Sequence, residues 1–399
     1  MRLRFQKTFR LAAGILAAFL GLHCGCDGGS PDPTGSGGAG GGGGGDAYDW
    51  GLPVGIPRPK VPVDNPMSAV KVELGRRLFY DTRLSGNETY SCASCHRQDL
   101  AFSDGLARAE GSTGQIHPRG SMALVNVAYL SVLTWANPII DSLEEQALLP
   151  MFGETPVELG LAGQEDVLLD RLRSEPLYQE LFPQAFPETS EPITLGNIVR
   201  AIAAFERTLL SFRSPYDRYV YDGDPSALSA SALRGRELFF SEKLECFHCH
   251  GGFNFSDSVG HENSTFEEVM FHNTGLYNVG GDGSYPPDDT GVMAVTGIPS
   301  DMGRFRAPTL RNVAVTAPYM HDGSVKTLSE ALDHYAAGGR TLTSGPYQGD
   351  GSKNPYKSEL IVGFDLTADE KADVIEFLNS LTDEGFLTDP RFADPWAAP

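Results

Sequence analysis

From about residue 67 onward, apolar residues recur along most of the chain with a helical period. Val70, Leu74 and Leu78 stand at i, i+4 and i+8 and define one face to be buried. Ile198, Ile202, Phe205 and Leu209 make a similar stripe within 194–211, and Val374, Phe377, Leu378 and Leu381 do so within 367–381. The last stripe opens on Thr367-x-x-Glu370, a pattern in which each side chain accepts the other residue's backbone N–H. No run of alternating strands lies between these stripes, so the pattern predicts a mainly α protein. The connections are long and rich in Gly and Pro, notably 251–316 and 338–357. Long irregular loops in a compact domain usually surround a ligand or carry function.

The stripes belong to a repeat. Gly75-Arg76-Arg77-Leu78-Phe79-Tyr80 is echoed by Gly235-Arg236-Glu237-Leu238-Phe239-Phe240, and each is followed shortly by Cys-x-x-Cys-His, at 92–96 and 246–250. One module therefore occurs twice: helix, Cys motif, long loop region, closing helix. With the boundary at Ser214-Pro215, the expected domains are 51–213 and 214–390, followed by a tail at 391–399.

Cys92, Cys95 and His96, and likewise Cys246, Cys249 and His250, match the pattern by which c-type haem is attached. Two Cys one helical turn apart add across the two vinyl groups of one haem, and the next residue, His, reaches its iron. A redox dithiol would not need a His after the second Cys, twice. A structural zinc site uses the same residue types, but exported chains rarely leave four thiols for zinc. Two covalently bound c-type haems are the expected cofactors. The other histidines, His23, His117, His248, His261, His272, His321 and His334, are each open as a further ligand.

The N-terminus adds a compartment. Arg2, Arg4, Lys7 and Arg10 precede the apolar run Leu11–Leu22, the n-region and h-region of an export signal. That run is short of the ~18 residues a membrane span needs. Residues 1–26 read as a leader. Cys24 and Cys26 follow the h-region directly, so a lipid anchor on either and simple cleavage both stay open. Residues 27–50, with six consecutive Gly at 40–45, read as a flexible tether. A periplasmic or outer-envelope location follows. The whole chain has 31 basic and 52 acidic residues, and removing the four leader charges leaves 27 against 52, a net of -25. Such a balance excludes the basic stripe of a nucleic-acid binder.

Further motifs carry a resemblance. Phe305-Arg306-Ala307-Pro308-Thr309-Leu310-Arg311-Asn312-Val313, Ala317-Pro318-Tyr319-Met320-His321-Asp322-Gly323, Leu74-Gly75-Arg76-Arg77-Leu78-Phe79 and Leu143-Glu144-Glu145-Gln146-Ala147 resemble the bacterial di-haem cytochrome c peroxidase and MauG family, over roughly 67–385. The resemblance implies two fused cytochrome c-type domains. The haem of the N-terminal one reacts with hydrogen peroxide, and that of the C-terminal one stores or relays electrons. It makes Gln146 and Glu158 distal residues of the peroxide-reacting haem, where a carboxylate suits the proton shift that splits an O–O bond. It sets Trp135 between the haems. Tyr335 falls at the sixth-ligand position of the second haem, with His334 and Met320 competing. A thioether raises the potential, whereas a phenolate favours ferric and higher states.

The chain also departs from the family pattern. Residues 112–119 offer only His117 as a distal imidazole, off the expected spacing, so the first haem is expected open with His96 as its only protein ligand. Thr316 and Pro318 match the carbonyl ligands of a calcium ion, but Gly120 stands where that site has an Asn. The only Trp after Trp135 is Trp396, far from the expected surface position. The run Cys249-His250-Gly251-Gly252-Phe253-Asn254-Phe255-Ser256-Asp257 is most similar to the MbnH-type branch, whose members oxidise a Trp of a copper-binding partner, MbnP, to kynurenine. The resemblance thus implies an exported enzyme that uses hydrogen peroxide to build a high-valent di-haem state and oxidise a partner protein's side chain. Two other readings stay open. One is a peroxidase fed by a small cytochrome or cupredoxin, the other a non-catalytic electron-transfer protein.

Overall fold

The computed structural model describes residues 48–267 and 269–397. The expected leader, Cys24 and Cys26, and the tether up to residue 47 lie outside the described residues. Helices dominate. The first half contains α1 (Ala69–Tyr80), α2 (Cys92–Cys95), α3 (Leu143–Phe152), α4 (Glu165–Arg173), α5 (Pro176–Ala185) and α6 (Leu195–Glu206). The second contains α7 (Pro215–Val220), α8 (Ala230–Phe239), α9 (Met293–Thr296), α10 (Leu328–Ala336), α11 (Ala368–Asn379) and α12 (Glu384–Thr388). The strands among the described residues, β1 (Thr341–Leu342) and β2 (Gly349–Asp350), pair antiparallel, Thr341 with Asp350 and Leu342 with Gly349.

Local chemistry sets the helix ends. Ser68 caps α1 by accepting the Lys71 N–H, Thr194 caps α6 by accepting that of Asn197, and Thr367 and Glu370 form the expected reciprocal cap on α11. Helix α6 stops at Glu206, earlier than its apolar stripe predicts. There the N–H groups of Thr208 and Leu209 turn back to the carbonyls of Phe205 and Glu206, tightening the last turn.

The repeat is a repeated helix crossing. Helix α1 packs on α6, and α8 on α11, each through a glycine. A Cβ on Gly75 would lie 1.8 Å from the Ala201 carbonyl oxygen, and one on Gly235 1.9 Å from that of Asp373. Only a residue without Cβ lets the two backbones touch there. Leu74, Leu78, Phe79, Ile198, Ile202 and Phe205 fill the first core, and Phe239, Phe255, Val374, Phe377 and Leu381 the second. At the boundary, Ser214 and Asp217 cap α7 reciprocally. The buried Arg311 guanidinium donates to Asp217 at 2.9 and 3.0 Å, and to the carbonyls of Ser211 and Phe253.

The last stretch of chain packs back on the first half. Phe386, Leu387 and Phe392 enter the first core. Gln98 donates to the carbonyls of Phe386 and Asp389, Tyr80 to that of Phe392 and Arg76 to that of Ala393. The Trp396 ring lies 5.5 Å from the Arg77 guanidinium and 5.2 Å from that of Arg83. These apolar residues show no periodicity within their short segment and find burial only against remote helices. No helix among the described residues is long and apolar enough to cross a membrane.

Candidate functional site

Both Cys motifs fold into a single helical turn closed by the backbone of the following His. The His96 N–H donates to the Cys92 carbonyl at 3.0 Å and the His250 N–H to the Cys246 carbonyl at 2.9 Å. His96 Nδ1 lies 2.7 Å from the Phe102 carbonyl, and His250 Nδ1 lies 3.1 Å from that of Phe255. A carbonyl only accepts, so each Nδ1 carries the proton and each Nε2 keeps the lone pair that a metal requires. Burial lowers both imidazoles below their ordinary range, which keeps them neutral. The two residues whose carbonyls accept share an unusual backbone: Phe102 and Phe255 have φ of 63° and 50°. Bulky residues rarely adopt that left-handed region, and its recurrence in both modules aims a carbonyl at each imidazole. Burial also pushes the thiols of Cys95 and Cys246 up to about 12, and that of Cys92 higher still. Thiols held protonated in this way are poor redox dithiols, which weighs against that alternative.

A cavity of about 410 Å³ opens at the second motif, walled by Cys246, Cys249, His250 and Tyr335, with Trp135 and Met320. Tyr335 comes from α10, and its phenol is pushed up by burial. Of the competing ligands, Met320 shares that wall and His334 does not. His334 is buried with neither ring nitrogen hydrogen-bonded, and burial pushes it down to about 4. Lys243, Arg306, Arg311 and His272 are among the residues that line the same cavity. Arg306 is fully buried, donates to the Thr134 and Ala307 carbonyls, and has no carboxylate partner among the described residues. His272 lies 2.5 Å from Asp257. Burial opposes its charge, but the hydrogen bonds to Asp257 and Cys249 outweigh it and lift the imidazole to about 10. Cys249, Asp257 and His272 lie close enough to hold a metal ion. Cys249 is one of the attachment thiols, however, and a cavity walled by buried cations, apolar side chains and both attachment thiols fits a large apolar cofactor with its own acid groups.

The first motif has a different surround. Glu158 lies where the chain returns after α3, its backbone carbonyl accepting from Ser112 at 2.7 Å. Its carboxyl is 4.0 Å from His117 Nε2, and burial holds it above the usual carboxylate range. Cys92 and Cys95 both feel its charge, which places it beside this motif. Gln146 is half-buried on α3. The segment 120–123 bridges the two motifs: Ser121 Oγ donates to the Cys95 carbonyl at 2.8 Å, while Gly120 to Ala123 line the second cavity. Trp135 is fastened to this bridge, its Nε1 donating to the Gly120 carbonyl at 3.0 Å. Thr316 and Pro318 lie on the same cavity wall as Gly120.

One acid was missed in the sequence. Glu206 closes α6 beside the first motif, and its Oε2 has no hydrogen-bond partner. Burial outweighs the nearby Arg207 charge and pushes this carboxyl up to about 8. Arg207 itself is paired with Glu144 at 2.7 Å. The signal was present, since Glu206 stands four residues after Ile202, on the face that Ile198 and Ile202 bury.

This fold and these paired turns define a haem-dependent oxidoreductase. Residues 69–226 match the sequence model of the di-haem cytochrome c peroxidases. The chain is 35% identical to the methylamine utilization protein MauG of Methylorubrum extorquens over 83% of each chain. It is 34% identical to cytochrome c551 peroxidase of Pseudomonas aeruginosa over 67% of this chain and 72% of that one. A solved structure, of a MauG-like protein associated with microbial copper homeostasis, is 50% identical and superposes with a TM-score of 0.86, covering 88% of this chain and all of that one. The chain belongs to the di-haem cytochrome c peroxidase family and is an oxidoreductase acting on peroxide. The family implies two c-type haems, and the two Cys-x-x-Cys-His turns are the residues here that fit them.

Proposed function

We propose that this enzyme takes two oxidising equivalents from hydrogen peroxide, holds them across two haems and passes them to an aromatic side chain of a partner protein. One haem joins Cys92 and Cys95, with His96 as its only protein ligand. The other joins Cys246 and Cys249 and is held by His250 and Tyr335. Each sits in its own cytochrome c-type domain, 51–213 and 214–390. When bound, the haems supply the redox chemistry. The protein positions them and moves protons: Glu158 carries a proton between the peroxide oxygens with Gln146 beside it, and Trp135 couples the two sites. A calcium ion at Thr316 and Pro318 would draw its other ligands from water or elsewhere, since Gly120 gives no side-chain oxygen.

One observation carries this reading: the enclosed Tyr335 phenol shares a cavity with His250 and both attachment thiols. A hard oxygen donor there suits storage of oxidising equivalents, where a relay favours sulfur. The 50% identical relative is associated with copper homeostasis. That supports a copper-binding, MbnP-like partner, with Trp-to-kynurenine conversion as the reaction. Export by the leader, with an anchor at Cys24 or Cys26, would place the enzyme in the cell envelope. The test is to add stoichiometric peroxide to the ferric protein without prior reduction. A long-lived optical change is expected, and its absence overturns the proposal. Met320 on the same wall favours a second reading, a peroxidase drawing electrons from a small cytochrome or cupredoxin. It predicts activation by prior reduction and a thioether signature at the second haem.

A further inference from the structure

Trp396 lies between two guanidiniums on the first half, where positive charge opposes electron loss from the ring. A different aromatic series leaves the cavity from its Trp135 side. Phe305 and His321, both on the cavity wall, stack with ring centroids 3.6 Å apart. Tyr285 lies against both, at 6.2 and 6.4 Å. Tyr277 follows at 5.4 Å from Tyr285, and Tyr347 at 5.8 Å from Tyr277. Trp135 and Tyr347 pack at the margin of one apolar cluster that holds Tyr277 and Tyr285 in its interior. Tyr347 is half-buried in the turn between β1 and β2, where its neighbours 343–346 are exposed.

The phenols differ in a way that assigns roles. Tyr285 donates to an amide oxygen, Asn273 Oδ1, at 2.8 Å, and an amide does not take a proton. Tyr277 donates to the Asp322 carboxylate at 2.6 Å. The Arg340 guanidinium lies 4.5 Å from the Tyr277 ring, which opposes a radical cation but not a neutral radical. Tyr277 can therefore give up an electron only if its proton leaves too, and Asp322 is placed to receive it.

We propose that Tyr285, Tyr277 and Tyr347 are the route by which electrons reach the haems from a protein docked at the β1–β2 turn, offering an oxidisable aromatic side chain. This rests on the reading that peroxide equivalents pass to a partner protein. An electron leaves Tyr277 for the oxidised haem site by way of Tyr285, and the phenolic proton crosses to Asp322, leaving a neutral tyrosyl radical. Tyr347 restores the electron, the proton returns from Asp322, and the Tyr347 proton is released to water. The partner's aromatic side chain then reduces the Tyr347 radical, which recovers a proton from water. Two such passages deliver two electrons, and with two protons the peroxide leaves as two molecules of water.

The experiment uses the haem-loaded full chain with stoichiometric peroxide and a nitroso or nitrone spin trap, without partner protein. Trapped residues are mapped by mass spectrometry, and the oxidised state is followed optically. The trap is expected on Tyr347. In Tyr277→Phe, which keeps the packed ring, and in Asp322→Asn, that adduct should be lost while the oxidised state forms as fast and lives longer. Tyr347→Phe, at the surface, should lose it without any effect on folding. An adduct on Tyr347 that survives Tyr277→Phe, or one confined to Trp396, overturns the relay and leaves the parent reading standing. Failure of the oxidised state to form in the unaltered chain overturns both.

Discussion

Replacing Glu206 with Gln isolates the energetic effect of one buried acid. In the folded chain its carboxyl is lifted from 4.5 to about 8, first by burial and against the opposing charge of Arg207. The folded state therefore keeps a proton that the unfolded chain releases above the ordinary carboxyl range. A group raised in this direction contributes its full stability below 4.5, and that contribution disappears as pH rises through about 8. The slope is one proton's worth, about 1.4 kcal/mol per pH unit, or about 5 kcal/mol over the whole window. Glu206→Gln preserves shape and has no proton to lose. Urea unfolding followed by far-UV circular dichroism, repeated from mildly acidic to mildly alkaline pH, gives the stability of both proteins. Haem ligation carries its own pH dependence, which cancels in the difference. The two curves should converge in acid and diverge in alkali, with Glu206→Gln the more stable. Parallel curves would refute the argument, because they would mean that Glu206 is ionised and paired in the folded protein.

Other outcomes follow from the same geometry. Glu158→Gln should slow the reaction with peroxide by about 10²–10⁴ in stopped-flow absorbance, while an unaltered rate would remove its acid–base role. Gly75→Ala and Gly235→Ala each push a methyl group into a carbonyl and should prevent stable folding, read as loss of the thermal transition. Gly196→Ala on α6, where an added Cβ meets nothing closer than 4.0 Å, should instead raise stability by about 0.5–1 kcal/mol. Asp217→Asn strands the Arg311 charge and should cost about 3–5 kcal/mol in denaturant titration.

The parts of the fold written in local pattern were legible. The stripe of Leu74 and Leu78, the Thr367–Glu370 cap and the echo of Gly75 in Gly235 follow from periodicity and turn chemistry alone. The positions of Tyr335 and Trp135 on a shared cavity could be anticipated only by resemblance, because α10 and the 120–135 segment meet through tertiary packing. What escaped the sequence is long-range. Arg306 and Arg311 look like surface cations until the loops around them close. The left-handed carbonyls of Phe102 and Phe255 carry no residue signature, since Phe is a poor choice for that backbone. Phe386 and Phe392 lie too close to the end of the chain to display a period, and their partners are some three hundred residues away.

That return of the chain end has a consequence for biosynthesis. The ring of Phe386 stands 5.8 Å from that of Phe102, the residue whose carbonyl steadies His96. A polypeptide released before Phe386 would leave this aromatic face bare to water and the imidazole's support loose. The module made first is thus closed last, by residues that leave the ribosome only after the second module has been made.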